Sequence, residues 1–263
     1  MSEERYTTVL AKGQGAIEET LSLLRIWEPE MTRSQLAAKV VSEGILGKAT
    51  AKRAKDMVFE VFGPRYLRDD TRPARYLKIL LDAKIEPISM SQLFLIYTAR
   101  ANPILRDFIC EVYWEKYAAG FSSIARADAV TFIETSYNFG RLPSRWSEKM
   151  VSRVASYLCG CLADFKLLES GRKSERAILA FHIQTLTSLY LTHELHFSGY
   201  SDNAILEYPD WQLFGFEPMD VLKELQRVSS PYFIAQFSGE LLRISWMHNS
   251  MEEVLDVISR SGL

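Results

Sequence analysis

His193 and His196 stand three residues apart around Glu194, a spacing that lets one helix face offer two imidazoles to a metal ion. Two ligands do not close a site, so the pair is expected to be a half-exposed couple at a helix end. His182, inside an apolar run, and His248, beside Asn249 in a turn, are isolated and read as satisfied side chains. Cys159 and Cys161 lie two apart on an expected helix and so point to different faces, which rules out a redox pair. With Cys110 they make three cysteines, an odd number without metal-type spacing, which fits a reducing compartment; a cytoplasmic address is expected. The sequence holds no phosphate-cradling glycine loop, no nucleophile elbow and no paired-cysteine zinc motif. The expectation is a non-enzymatic protein without cofactor or metal.

Charge carries the remaining chemistry. A formal net charge of -2 excludes a chain that coats nucleic acid by bulk charge, so any such binding must come from a local patch. One patch lies between Lys48 and Lys78, where nine basic residues (Lys48, Lys52, Arg53, Lys55, Arg65, Arg68, Arg72, Arg75 and Lys78) face four acids (Asp56, Glu60, Asp69 and Asp70). Lys52 and Lys55 fall on one helix face opposite an apolar stripe, and Thr50 with the helix N-terminus adds donors for phosphate. The second patch is Arg145, Lys149, Arg153, Arg172 and Lys173. A single such run is most simply a solvated face. Two runs on two helix-turn units favour nucleic acid.

The elements that must hold these residues are mostly helices. Apolar spacing predicts a helix over 8–27, a second from a Thr32 cap to Val41, and a third from a Thr50 cap to the Gly63-Pro64 breaker. Helix, Gly44 to Gly47 turn, helix has the layout of a helix-turn-helix, with a longer turn than usual. Further helices are expected over 75–83, 89–101, 105–117 and 126–137, with no strand before Ser144. A helix over 147–165 followed by a β-compatible run at 177–183 suggests a winged element, with Lys149, Ser152, Arg153 and Ser156 off the apolar face.

In the tail, helices are expected at 201–206, 217–226 and 251–259, with a hairpin of 232–237 and 241–246 around Ser238-Gly239-Glu240. The fold class is mainly α, with helix-turn-helix or winged-helix-like units and a small C-terminal β-hairpin. The chain is read as two lobes, 1–143 and 144–263, divided where the pattern changes after Arg141-Leu142-Pro143. The apolar run Ala177 to Thr192 contains His182 and Gln184 and is shorter than the ~20 residues a membrane span needs. Met1 to Thr8 carries acids where an export signal needs a basic start.

The chain also resembles a known family from end to end. The matching residues are Tyr6-Thr7-Thr8, Lys12-Gly13, Glu18-Glu19, Ile45 to Thr50, Arg53-Ala54-Lys55 and Phe62 to Tyr66. They continue in Trp146, Arg153-Val154-Ala155, Leu162 to Leu168, Glu207 to Phe214, Ile244-Ser245-Trp246 and Ser250 to Glu253. On these residues the chain resembles the BrxA family of the bacterial BREX phage-defence system, once catalogued as inner-membrane. The resemblance implies a small helical protein acting beside a DNA methyltransferase, an ATPase and a phosphatase-like protein, with binding of double-stranded DNA as its expected activity. It assigns no binding residues. The competing reading is a scaffold, in which exposed Tyr208, Trp211 and Phe214 dock another subunit.

Overall fold

The computed structural model describes residues 5–68, 70–238 and 241–260. The chain is mainly α-helical, as its periodicity predicts. Helices α1 (Ile17–Ile26), α2 (Arg33–Ser42) and α3 (Ala51–Asp56) come first. Thr32 caps α2 through a capping box with Gln35, and the Thr50 hydroxyl accepts from the Arg53 N–H at 3.2 Å. The expected single helix over 8–27 is instead a 3-10 turn (Val9–Lys12) followed by α1, because Gln14 and Ala16 take positive φ of 46° and 47°. Nor does the third helix stop at Gly63-Pro64. It widens into a π-helical stretch (Met57–Phe62) and runs on as α4 (Gly63–Tyr66). A π-type turn re-routes the backbone hydrogen bonds, so the missing proline N–H ends nothing.

Next come α5 (Arg72–Asp82), α6 (Pro87–Ala101), α7 (Pro103–Phe108), a π-helical stretch (Ile109–Tyr113) and α8 (Trp114–Ala118). The strand β1 (Ser123–Ala125) leads into α9 (Arg126–Asn138), then α10 (Glu148–Asp164), capped by Ser147, and β2 (Glu175–Ala177). β1 and β2 pair antiparallel with Ile124 opposite Arg176, and a further bridge joins Leu168 to Ile178. The expectation of no strand before 144 is therefore corrected. Three residues are too few to show alternation, and their partner lies about fifty positions along the chain. The expected strand at 177–183 begins two residues earlier and is short.

The tail holds α11 (Thr185–Phe197), α12 (Asp202–Leu206), a 3-10 turn (Pro209–Phe214), α13 (Pro218–Val228) and α14 (Met251–Arg260). Between the last two lies the hairpin of β3 (Phe233–Ser238) and β4 (Leu241–Trp246), in register from Phe233↔Trp246 to Ser238↔Leu241. The Gly239-Glu240 turn lies outside the described residues. Among the described residues, no helix is long and apolar enough to cross a membrane.

Cα packing divides the chain elsewhere than at 143, into 1–75 with 94–181 and into 76–93 with 182–263. Residues on both sides of 143 share the first unit because α9 packs on α10 and β1 pairs with β2. In that unit Tyr66, wholly buried, meets Phe62, Phe94 and Tyr97 at ring distances of 5.1, 6.0 and 5.7 Å. In the second unit α11 is buried nearly all round, which accounts for the 185–192 half of the long apolar run, while residues 177–184 are half-buried or exposed: the core of α11 includes Leu186, Leu189, Leu191 and Leu195.

Candidate nucleic-acid interface

The first basic patch separates into two kinds of residue. Arg65 is only 6% exposed, and its guanidinium donates to the carbonyls of Gln14 (2.5 Å) and Gly15 (3.1 Å). It clamps the positive-φ turn before α1 and has no face left for phosphate. The same turn approaches α10 closely: a Cβ at Gly15 would meet Asp164 at 2.6 Å, and the Gly15 N–H donates to the Asp164 carboxylate at 3.0 Å. Burial holds the Asp164 carboxyl above the usual carboxylate range, against that hydrogen bond. Arg53 is half-buried and donates to the Lys12 carbonyl. Lys48, Thr50, Lys52, Lys55 and Arg68 remain exposed.

The second patch stays on the surface as a set. Arg145, Lys149 and Arg153 are exposed and make no ion pair among the described residues, while Val151, Val154, Ala155, Leu158 and Leu162 bury the opposite face of α10. Lys149 and Arg153 are four apart and share one outer stripe, which Ser156 continues. Arg172 and Lys173 are exposed in the connection from α10 to β2; Lys173 pairs with exposed Glu169 at 3.5 Å, a weak surface pair.

This connection is tied down at both ends. Leu179 N–H donates to Leu167 O (3.0 Å), Glu169 N–H to Ala177 O (2.8 Å), Ile178 N–H to Ser122 O (2.9 Å) and Arg126 N–H to Ser174 O (2.7 Å). Residues 170–174 are therefore the tip of a short antiparallel ribbon beside α10. A pocket of about 250 Å³ opens there, walled by Arg126, Arg172, Lys173 and Arg176 with Ser156, Cys159 and Ser174. Arg126 and Arg176 are the additions that reading the sequence missed. Arg126 follows β1 and Arg176 is the middle residue of β2, and only the pairing of Ile124 with Arg176 shows that they are neighbours. Burial pushes the Cys159 thiol up to about 11, so it stays protonated near neutral pH and is a poor nucleophile.

The expected partner-docking aromatics are corrected by their burial. Trp211 is 1% exposed and donates from Nε1 to the Ile205 carbonyl at 2.8 Å; Phe214 is 3% exposed; Tyr208 is half-buried against Tyr200 at a ring distance of 4.8 Å. The 3-10 turn (Pro209–Phe214) folds Trp211 and Phe214 inward as core of their own unit, while Tyr208, just before it, stays half-buried. His193 is also buried, with Nδ1 on the Leu189 carbonyl at 2.8 Å, whereas His196 stacks on Trp246 at 3.8 Å. Among the described residues, no group of three or more His, Cys, Asp or Glu side chains could hold a metal ion.

The chain matches the family model described as BrxA over residues 4–194. The similarities at 207–214, 244–246 and 250–253 lie beyond that match. No curated protein matches. Among solved structures it is similar to a crystal structure of an uncharacterized protein from Magnetospirillum magneticum, with 13% identity and a TM-score of 0.60, covering 80% of this chain and 98% of that one. At that identity the likeness speaks for the fold alone.

Proposed function

The chain belongs to the BrxA family, a family of BREX-associated defence components that is not a known enzyme family, and from that premise we propose that it binds double-stranded DNA through α10 and the 170–174 ribbon tip without catalysing a reaction. One observation carries the reading: Arg145, Lys149 and Arg153 lie exposed and without ion pairs among the described residues, beside a backbone-tied loop bearing two further cations. Phosphate contacts supply most of the sequence-independent affinity for DNA, and unpaired surface cations make them at least desolvation cost.

The order of elements suits the task. Helix, strand, helix, helix and antiparallel ribbon is the arrangement of a winged helix, with α10 in the place of the recognition helix and 170–174 in that of the wing. Helix α10 has 17 residues and so spans about 25 Å at ~1.5 Å per residue, with its outer stripe free to enter a major groove about 12 Å wide. Ser152 and Ser156 add hydroxyls to that stripe. The exposed residues Lys48, Thr50, Lys52, Lys55 and Arg68 form a second, weaker candidate surface, since Arg53 and Arg65 hold backbone carbonyls. Other BREX components are the expected protein partners; the methyltransferase, ATPase and phosphatase-like protein are the ones to test. The adaptor reading loses its aromatic surface, because Trp211 and Phe214 are core.

The test is fluorescence anisotropy of a labelled duplex across a salt series, with single-stranded DNA and RNA in parallel. Replacing Lys149, Arg153, Arg172 and Lys173 together by Ala should flatten the log-log salt slope by about 0.9 per lost phosphate contact. A folded variant with wild-type affinity and slope removes α10 from the interface and moves the test to Lys48, Lys52, Lys55 and Arg68. Nuclease or hydrolase activity in the purified protein would overturn the non-catalytic part.

A further inference from the structure

The pocket at the base of the ribbon is built differently from the stripe beside it. Four cations, Arg126, Arg172, Lys173 and Arg176, converge on a space of about 250 Å³ whose wall, among the described residues, contains no carboxylate. Arg126, Arg172 and Arg176 make no ion pair among the described residues, and Lys173 has only the exposed Glu169. Asp128, the acid nearest in sequence to Arg126, is engaged by Lys116 at 2.8 Å and by the Ala125 N–H at 2.8 Å. Like charges held together in this way repel unless an anion is shared between them.

The groups are held in place rather than gathered by chance. The Arg126 N–H is fixed on Ser174 O, and Arg176 lies in β2 with Nη1 donating to the Cys159 carbonyl at 3.1 Å. Arg176 Nε is buried and has no acceptor among the described residues. A buried donor without an acceptor costs about 1–3 kcal/mol, which a small shift of the ring of cations onto a bound anion would offset.

We propose that this pocket is a phosphomonoester site, taking a terminal phosphate from a nucleic-acid strand end or from a small free phosphate, with the four cations neutralising it, the Ser174 hydroxyl hydrogen-bonding its oxygens, and the Ser156 hydroxyl joining by turning from its 2.9 Å bond to the Ser152 carbonyl. A phosphomonoester carries about -1.5 to -2 charges at neutral pH and three acceptor oxygens, which suits four cations and two hydroxyls better than a carboxylate with one charge and two oxygens. An internal phosphodiester, substituted on both sides and singly charged, lies along a surface; a free end can enter a recess. The volume holds about eight waters at ~30 Å³ each, enough for a phosphate and part of its sugar. For a strand end the inference deepens the nucleic-acid reading of this surface, whereas the free-phosphate case stands apart from it.

Isothermal titration calorimetry of the full chain with inorganic phosphate, and with acetate at matched ionic strength, tests the pocket directly. Anisotropy with a 5′-phosphorylated duplex and its 5′-hydroxyl twin tests the source. Arg126→Gln and Arg172→Gln alter exposed side chains, and circular dichroism verifies that both variants fold. The expected result is one saturable phosphate per chain, weakened about tenfold or more by each variant, roughly the worth of one charge-assisted hydrogen bond. A tighter 5′-phosphorylated duplex, with the preference lost in both variants, assigns the ligand to strand ends. Equal duplexes with variant-sensitive phosphate binding support the site and assign it to a free phosphate. No saturable phosphate binding, equal binding of acetate, or phosphate affinity unchanged in both variants overturns the site, whatever the duplex affinity of the Lys149 and Arg153 stripe. A protein that binds phosphate but no duplex sinks the nucleic-acid reading alone.

Discussion

Lowering the pH should destabilise this protein through one buried imidazole. His193 is 1% exposed on α11, ringed by Phe233 at 5.6 Å and Trp246 at 5.3 Å, with His248 at 6.4 Å. Its Nδ1 meets the Leu189 carbonyl while Nε2 is buried with no hydrogen bond of good geometry among the described residues, the arrangement of a neutral ring donating from Nδ1. Burial above all, with His248 and His196 adding to it, lowers its pKa from the ordinary 6.5 to about 4. A depressed histidine stabilises the fold above the unfolded pKa and loses that contribution as pH falls toward the folded one. The window is therefore pH 6.5 down to 4. At about 1.4 kcal/mol per pKa unit the loss is about 2 kcal/mol at pH 5 and about 3 kcal/mol once both states are protonated. Urea denaturation of wild type and His193→Gln at pH 7.5, 6, 5 and 4.5 measures it. The variant should start less stable at pH 7.5 but fall less steeply. Parallel slopes for the two proteins between pH 6.5 and 4.5 would refute the assignment of the acid sensitivity to His193.

Three further outcomes separate structural from interface residues. Trp211→Ala should destabilise the protein by about 3–5 kcal/mol in chemical denaturation, since it empties a core position and frees the Ile205 carbonyl; an unchanged midpoint would return Trp211 to the surface. Arg65→Met should cost about 3 kcal/mol by leaving the Gln14 and Gly15 carbonyls unpaired, yet leave the salt slope of duplex binding at its wild-type value. Asp164→Asn keeps an acceptor for the Gly15 N–H without the charge that burial disfavours. Because the folded pKa is raised, the wild-type carboxyl loses stability as pH rises through it, so the Asn variant should equal or exceed wild type in thermal melts at pH 7, with the gap closing near pH 4.

Local chemistry made much of this protein legible from its residues. The caps at Thr32 and Thr50, the apolar spacing on α10 and the β-rich segments at 232–237 and 241–246 each specify backbone through near neighbours, and each element forms close to where the pattern puts it. Arg145, Lys149, Arg153, Arg172 and Lys173 could be grouped because they lie just before one helix, on it and in the loop after it. Exposure is not a local property, however. Arg65 and Lys55 look alike in sequence, but the helix that runs on through Gly63-Pro64 carries Arg65 under the Gln14 turn and leaves Lys55 in solvent. Trp211 and Phe214 read as a docking surface until a 3-10 turn rolls them into the core. The pocket depends most on tertiary structure: Arg126 and Arg176 are fifty residues apart, and only the pairing of two three-residue strands, too short to show any period, brings their charges beside Arg172 and Lys173. Long-range pairing answers to the sum of packing around it, and no window of sequence contains that sum.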